Sequence, residues 1–176
     1  MTRLFAALEL PGEVRAALAA WGARAAGPEP AIRLVAGDAL HVTLVFLGER
    51  APEEVAAIAA AVVGAVRPLD PLRVAGAAWL PPRRPGVLVA DLEAAAGLMA
   101  LQAALVGALA PWHEPERRGF RPHVTVARVR RNGSIARRDV LAPPALHFAP
   151  TALVLYRSHL GPGGSSYEAV ASAPLI

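Results

Sequence analysis

The apolar positions of this chain change period as the sequence advances, and the changes divide it into helices and strands. Val14, Leu18 and Trp21 recur at helical spacing behind Pro11, so a helix is predicted from Pro11 to about Ala26, ended by GPEP. A second helix is predicted from Pro52 to about Val66, ending before Pro68, and a third from Glu93 to Ala110, ending at Pro111. Unbroken or alternating apolar runs predict strands instead. They are Arg3–Leu10, Leu40–Leu47 (stopped by Gly48), Leu72–Leu80, Val87–Leu92, Val124–Val129, Ala152–Ser158 and Tyr167–Ser172, with a short extended piece at Ile32–Val35. PPRRPG, Asn132-Gly133 and GPGGSS mark turns, and the stretch from Gly133 to Pro144 specifies little.

Strands and helices interleave, yet Leu72–Leu80 and Val87–Leu92 read as a hairpin, as do the last two strands. That combination predicts an α+β fold with antiparallel pairing rather than a doubly wound parallel sheet. The first half runs strand, helix, strand, helix; the second runs strand, hairpin partner, helix, strand. The halves read as imperfect copies. Residues 1–176 are expected to form one two-lobed domain. No G-x-x-x-x-G-K-[ST] or G-x-G-x-x-G motif is present, so the usual ATP and dinucleotide loops are excluded.

Composition narrows the chemistry further. Hydrophobic residues make up 55% of the chain, too many for a disordered protein. Cysteine is absent, which removes disulfides, thiolate metal sites and thiol nucleophiles and suits a cytoplasmic protein. The opening apolar run is broken by Glu9 and Pro11, which does not fit a signal peptide, and no apolar run reaches membrane-spanning length. A soluble, unexported protein is expected. All 18 basic residues are arginine. Eight of them lie from Arg117 to Arg138, a stretch without any acid. Such a block favours an anionic partner such as nucleic acid, nucleotide or phosphate, although a solvated loop with biased codon usage would look the same.

His-Val-Thr occurs twice, at His41–Thr43 and His123–Thr125, in a chain with five histidines. Side chains alternate across a strand, so each motif presents an imidazole and a hydroxyl on one face and aliphatic anchors on the other. If the two strands lie side by side, two imidazoles and two hydroxyls face one cleft. With an ordinary pKa of ~6.5, one imidazole can accept a proton while the other donates one. Threonine hydroxyls are compact donors for phosphate oxygens. Arg128 is five residues beyond His123, an odd spacing that puts it on the opposite face of an ideal strand. It reaches the cleft only if that strand bends, bulges or ends near Ala127.

Phe46, five residues after His41, falls by the same alternation on the face away from it and is assigned to the core. Tyr156, Tyr167, Trp21, Trp79 and Trp112 are given structural roles, as is Phe120. His113, His147 and His159 lie outside any repeat and are assigned to the surface. A zinc site would need a third ligand beside the two repeated histidines, and no H-E-x-x-H or carboxylate cluster supplies one. No G-x-S-x-G elbow supports a serine hydrolase. A non-catalytic protein that only grips a phosphorylated RNA end remains the competing reading.

At these residues the chain resembles the two-histidine phosphoesterases, whose pattern is H-x-[ST] repeated about 80 residues apart. Within them it looks like the RNA 2′,3′-cyclic phosphodiesterases once described as 2′-5′ RNA ligases. RLFAALELP, LHVTLVFLGE, FRPHVTVARVR and LVLYRSHLGPGGSSYEAV carry the likeness. The resemblance implies two pseudo-symmetric lobes of antiparallel sheet with outer helices around a central cleft. It implies hydrolysis of an RNA terminal 2′,3′-cyclic phosphate, or of a small cyclic nucleotide, to a 2′-phosphate, with no metal and no cofactor. His41 would protonate the departing 3′ oxygen and His123 would activate water, with labels that near-symmetry leaves exchangeable. Thr43, Thr125 and Arg128 would hold the phosphate. A monomer is expected.

Overall fold

The structure is a computed structural model that describes residues 1–114, 116–161 and 164–175. The strands are β1 (Thr2–Glu9), β2 (Ile32–Leu34), β3 (His41–Arg50), β4 (Leu72–Leu80), β5 (Val87–Leu92), β6 (His123–Val129), β7 (His147–Phe148), β8 (Ala152–Gly161) and β9 (Gly164–Pro174). The helices are α1 (Gly12–Ala26), α2 (Val55–Gly64) and α3 (Ala96–Ala108). The strand order is β7-β4-β5-β6-β3-β1-β8-β9, every pair is antiparallel, and β2 adds to β6 off this path.

Two lobes meet where β3 and β6 touch, and they touch at one register pair, Val42 opposite Val124. Beyond it the strands part, and β2 takes the released edge of β6. One lobe is β3-β1-β8-β9 and the other β6-β5-β4-β7, an α+β bilobal fold. The lobes are not the two halves of the chain. The C-terminal strands β8 and β9 return to complete the first lobe beside β1, a non-local pairing that element order alone does not reveal.

The helices cover the sheet by burying one stripe each. Val14, Leu18, Trp21, Gly22 and Ala26 of α1 are buried, as are Ile58 and Val62 of α2 and Leu98, Leu101 and Leu105 of α3. Trp21 is fully enclosed, and its indole N–H donates to the Leu141 carbonyl at 3.1 Å. That bond ties α1 to the stretch the sequence left unspecified. No charged or polar residue is fully buried among the described residues.

Several boundaries differ from expectation. β3 does not stop at Gly48 but runs on to Arg50, because Gly48 adopts φ +70° beside a bulge where Leu4 faces Gly48 and Phe5 faces Phe46. α2 begins at Val55, after a 3₁₀ turn at Pro52–Glu54. α3 begins at Ala96 rather than Glu93, whose backbone N–H is bonded to the Arg73 carbonyl. The two-residue strand β7 was not foreseen. The GPGGSS turn falls at Pro162 and Gly163, outside the described residues, and its flanks Gly161 and Gly164 pair with each other.

Candidate active site

The contact between Val42 and Val124 builds the site. Because the pairing is antiparallel and centred on those residues, His41 and Thr43 flank the pair on one strand and Thr125 and His123 flank it on the other. Alternation turns all four side chains to the same face, while Val42 and Val124 are fully buried on the other. All four, together with Arg128, line one open cavity of about 250 Å³.

Each strand then breaks alternation at the same place. On β6, Val89 faces Thr125 and Leu88 faces Ala127, so Val126 is the extra residue of a β-bulge. On β3, Ala7 faces Thr43 and Ala6 faces Val45, so Leu44 is the extra residue. From the histidine onward both strands read intermediate, buried, intermediate, buried, buried, exposed. The bulge carries Arg128 to the cleft face despite its odd spacing from His123.

The same device corrects the reading of Phe46. It is 46% exposed and lines the cavity rather than the core, at the position in β3 that Arg128 holds in β6. The lobes therefore match in imidazole and hydroxyl but differ one step further on, where one offers a cation and the other an aromatic ring. Strict alternation misplaced Phe46; the signal that could have found it was the parallel with Arg128 in the other repeat.

Both imidazoles are held alike. Nδ1 of His41 lies 2.7 Å from the carbonyl oxygen of Ala39, and Nδ1 of His123 lies 2.7 Å from that of Arg121. A carbonyl can only accept, so Nδ1 carries the hydrogen in each ring and Nε2 is left for chemistry. Arg121 is itself fixed by two bonds to Asp91, at 2.8 and 2.9 Å. Nε2 of His41 is 2.9 Å from the Thr43 hydroxyl, which donates to it while the ring is neutral.

The environments of the rings are unequal. His41 sits among Phe5 (ring centroids 4.9 Å apart) and Tyr167 (5.2 Å, edge-on). Its pKa is pushed down to about 4, first by burial, with the positive charges of Arg128 and His123 adding, against the Ala39 bond. Phe5 also meets Phe46 at 5.6 Å and stacks on Tyr156 at 5.3 Å. Tyr167 and Phe5, the first of which was given only a structural role from the sequence, border the His41 ring. The pairing of β1 with the motif strand, and of β9 with β1 through β8, brings them there, and no local pattern announces it. His159 bonds Glu168 at 3.0 Å, away from the cleft. No three His, Asp or Glu side chains converge as a metal site among the described residues.

Two imidazoles, two hydroxyls and one guanidinium facing a shared cavity from related lobes define a paired-histidine fold suited to acid–base work on an anion. The sequence profile of the 2′-5′ RNA ligase superfamily matches residues 11–162. The RNA 2′,3′-cyclic phosphodiesterase of Escherichia coli K12 is 32% identical, with 94% of this chain and 92% of that protein covered. A crystal structure from Thermus thermophilus superposes with a TM-score of 0.84 at 30% identity, covering 98% of this chain and 97% of that one. E. coli LigT in complex with 3′-AMP superposes with a TM-score of 0.82 at 29% identity, covering 99% and 98%. The chain belongs to the 2′-5′ RNA ligase superfamily.

Proposed function

We propose that this protein hydrolyses the terminal 2′,3′-cyclic phosphate of RNA, or of a small cyclic nucleotide, to a 2′-phosphate. The observation that carries the reading is the pair of His-x-Thr strands meeting at Val42 and Val124, with Arg128 turned onto their shared face. The activity of the E. coli relative agrees with it. The chain acts as one two-lobed unit, since the site takes half its groups from each lobe; it works as a monomer, in the cytoplasm, with no membrane partner.

The phosphate sits between the rings. Thr43, Thr125 and Arg128 hold its non-bridging oxygens, the guanidinium offsetting charge that builds in the transition state. Nε2 of His123 takes a proton from water as it attacks phosphorus, and Nε2 of His41 gives one to the departing 3′ oxygen. The active pair thus shares one proton. His41 holds a proton poorly in the free protein, so the anionic substrate must arrive for it to serve as acid. Near-symmetry allows the opposite labelling with the same proton count. Phe46 offers a face for the terminal nucleobase.

The two imidazoles cover both proton transfers and Arg128 covers the charge, so the reaction needs no metal and no cofactor. With a 5′-hydroxyl in place of water as the nucleophile, the same displacement breaks the bond to the 3′ oxygen and joins two ends through a 2′-5′ linkage.

The test is incubation of a 2′,3′-cyclic mononucleotide, and of an RNA bearing that end, with the protein in the presence of chelator. A 2′-phosphate product, lost in both His41→Ala and His123→Ala, is expected. Phosphate binding that persists without turnover in the unaltered protein would make it an RNA-end binder. Activity abolished by chelator and restored by metal would overturn the metal-free mechanism.

A further inference from the structure

Six arginines gather at the far end of β6, and their placement suggests a second role. Arg33 of β2 lies opposite Arg128 in register. Arg128 pairs on its other side with Val87, the first residue after the loop that carries Arg83 and Arg84. That loop is fastened to β6 by the Val129 N–H donating to the Gly86 carbonyl at 2.7 Å. Arg130 and Arg131 continue from the end of β6, where the Arg130 N–H bonds the Ala31 carbonyl at 2.7 Å. Arg83, Arg84, Arg128, Arg130 and Arg131 are exposed.

What sets this group apart is that six arginines cluster in segments free of acid. Four arginines elsewhere, Arg73, Arg121, Arg138 and Arg157, form ion pairs with carboxylates. None of the six does so among the described residues. The segments that carry them, Pro30–Gly37, Leu80–Ala90 and Arg117–Arg138, contain no acidic residue. On the opposite side of the cleft a second cavity adjoins the first through Arg3, but it also holds Glu49, and its Arg157 is paired with Glu168. Carboxylates thus accompany the arginines on that side, whereas the end of β6 gathers six arginines with no carboxylate partner among the described residues.

We infer that this arginine patch is a binding surface for the phosphodiester backbone of a single-stranded RNA substrate, tracking nucleotides upstream of the terminal one along β6 and the β4–β5 loop. The inference rests on the function proposed above and deepens it: the preferred substrate is a polymer, and the mononucleotide fills only the cavity. Backbone contacts of this kind add affinity without base preference and weaken with salt, because each neutralised phosphate releases counterions.

The test combines Arg83→Ala, Arg84→Ala and Arg131→Ala, three exposed residues outside the cavity lining. Two substrates are compared, a 2′,3′-cyclic mononucleotide and a short RNA with the same end. Losing three phosphate contacts should lower the slope of log affinity against log salt by about 2. At ~0.1 M salt that corresponds to a fall of about a hundredfold in kcat/KM on the RNA, with the mononucleotide unchanged. Equal rates on RNA for variant and parent, an unchanged salt slope, or a parallel loss on both substrates would overturn the inference. If the parent turned over neither substrate, the proposed activity would be what failed. The patch would then be judged by fluorescence anisotropy of the labelled RNA, where the variant should still bind more weakly and with the shallower salt slope.

Discussion

Replacing His41 by asparagine removes an imidazole whose proton affinity the fold suppresses, and the stability of the protein should register the loss as a function of pH. In the unfolded chain the ring titrates near the ordinary 6.5; in the folded protein it does so at about 4. Above both values the ring is neutral in both states and contributes no pH dependence. Between them the unfolded state binds the proton and the folded state does not, so acidification draws the equilibrium toward unfolding. The gap of about 2.5 units, at about 1.4 kcal/mol per unit, amounts to about 3 kcal/mol lost by about pH 4. Urea unfolding of parent and His41→Asn, from about pH 7.5 to about pH 4, isolates this contribution, because the carboxylates that titrate in the same range are common to both. The parent should lose about 3 kcal/mol more than the variant across the window. Parallel curves would mean that water reaches the ring freely, and that Phe5 and Tyr167 do not shield it.

The same suppressed affinity should set the acid limb of kcat/KM near pH 4, measured on a cyclic mononucleotide, since that quantity reports the free enzyme; an acid limb at the ordinary histidine value would contradict it. Phe46→Ala should raise KM about tenfold with kcat little changed, because base stacking is worth about 1–3 kcal/mol; an unchanged KM would remove the ring from the substrate's path. Gly22→Ala should destabilise the protein by about 1–2 kcal/mol in urea unfolding, although alanine favours helices, because the new β-carbon would stand 3.0 Å from Cβ of Val126. A gain in stability would show that the bulge in β6 yields to α1 without strain. Arg128→Ala should cut kcat by about 10²–10³ in single-turnover assays, the scale of losing one preorganised charge donor; a loss confined to KM would make it a binding group only.

Much of this was legible in the residues. Strand and helix positions followed from period, and the duplicated His-Val-Thr announced that two imidazoles and two hydroxyls would share one face across a near-symmetric junction, since a motif on a strand fixes which side chains share a face. What the sequence hid depends on pairing partners. A bulge is defined by two residues facing one on a neighbouring strand, so the phase change after Thr43 and Thr125 could be conjectured for Arg128 but not counted. Phe46, judged by the unbroken alternation of β3, was assigned to the wrong face for that reason. The completion of the first lobe by β8 and β9, and with it the placing of Tyr167 against His41, arises from contacts more than a hundred residues apart, which no local window contains.

The mismatch between Phe46 and Arg128 has a consequence for which product forms. Two imidazoles and two hydroxyls related by a near two-fold axis would accept a cyclic phosphate equally well in either of two flipped poses, one presenting the 2′ oxygen for departure and the other the 3′ oxygen. Such a centre would yield a mixture of isomers. A flat ring on one flank and a guanidinium on the other, with the aromatic neighbours that crowd His41 alone, would give the sugar and base a single comfortable side, so the proposed reaction would be regioselective where an evenly duplicated cradle would be indifferent.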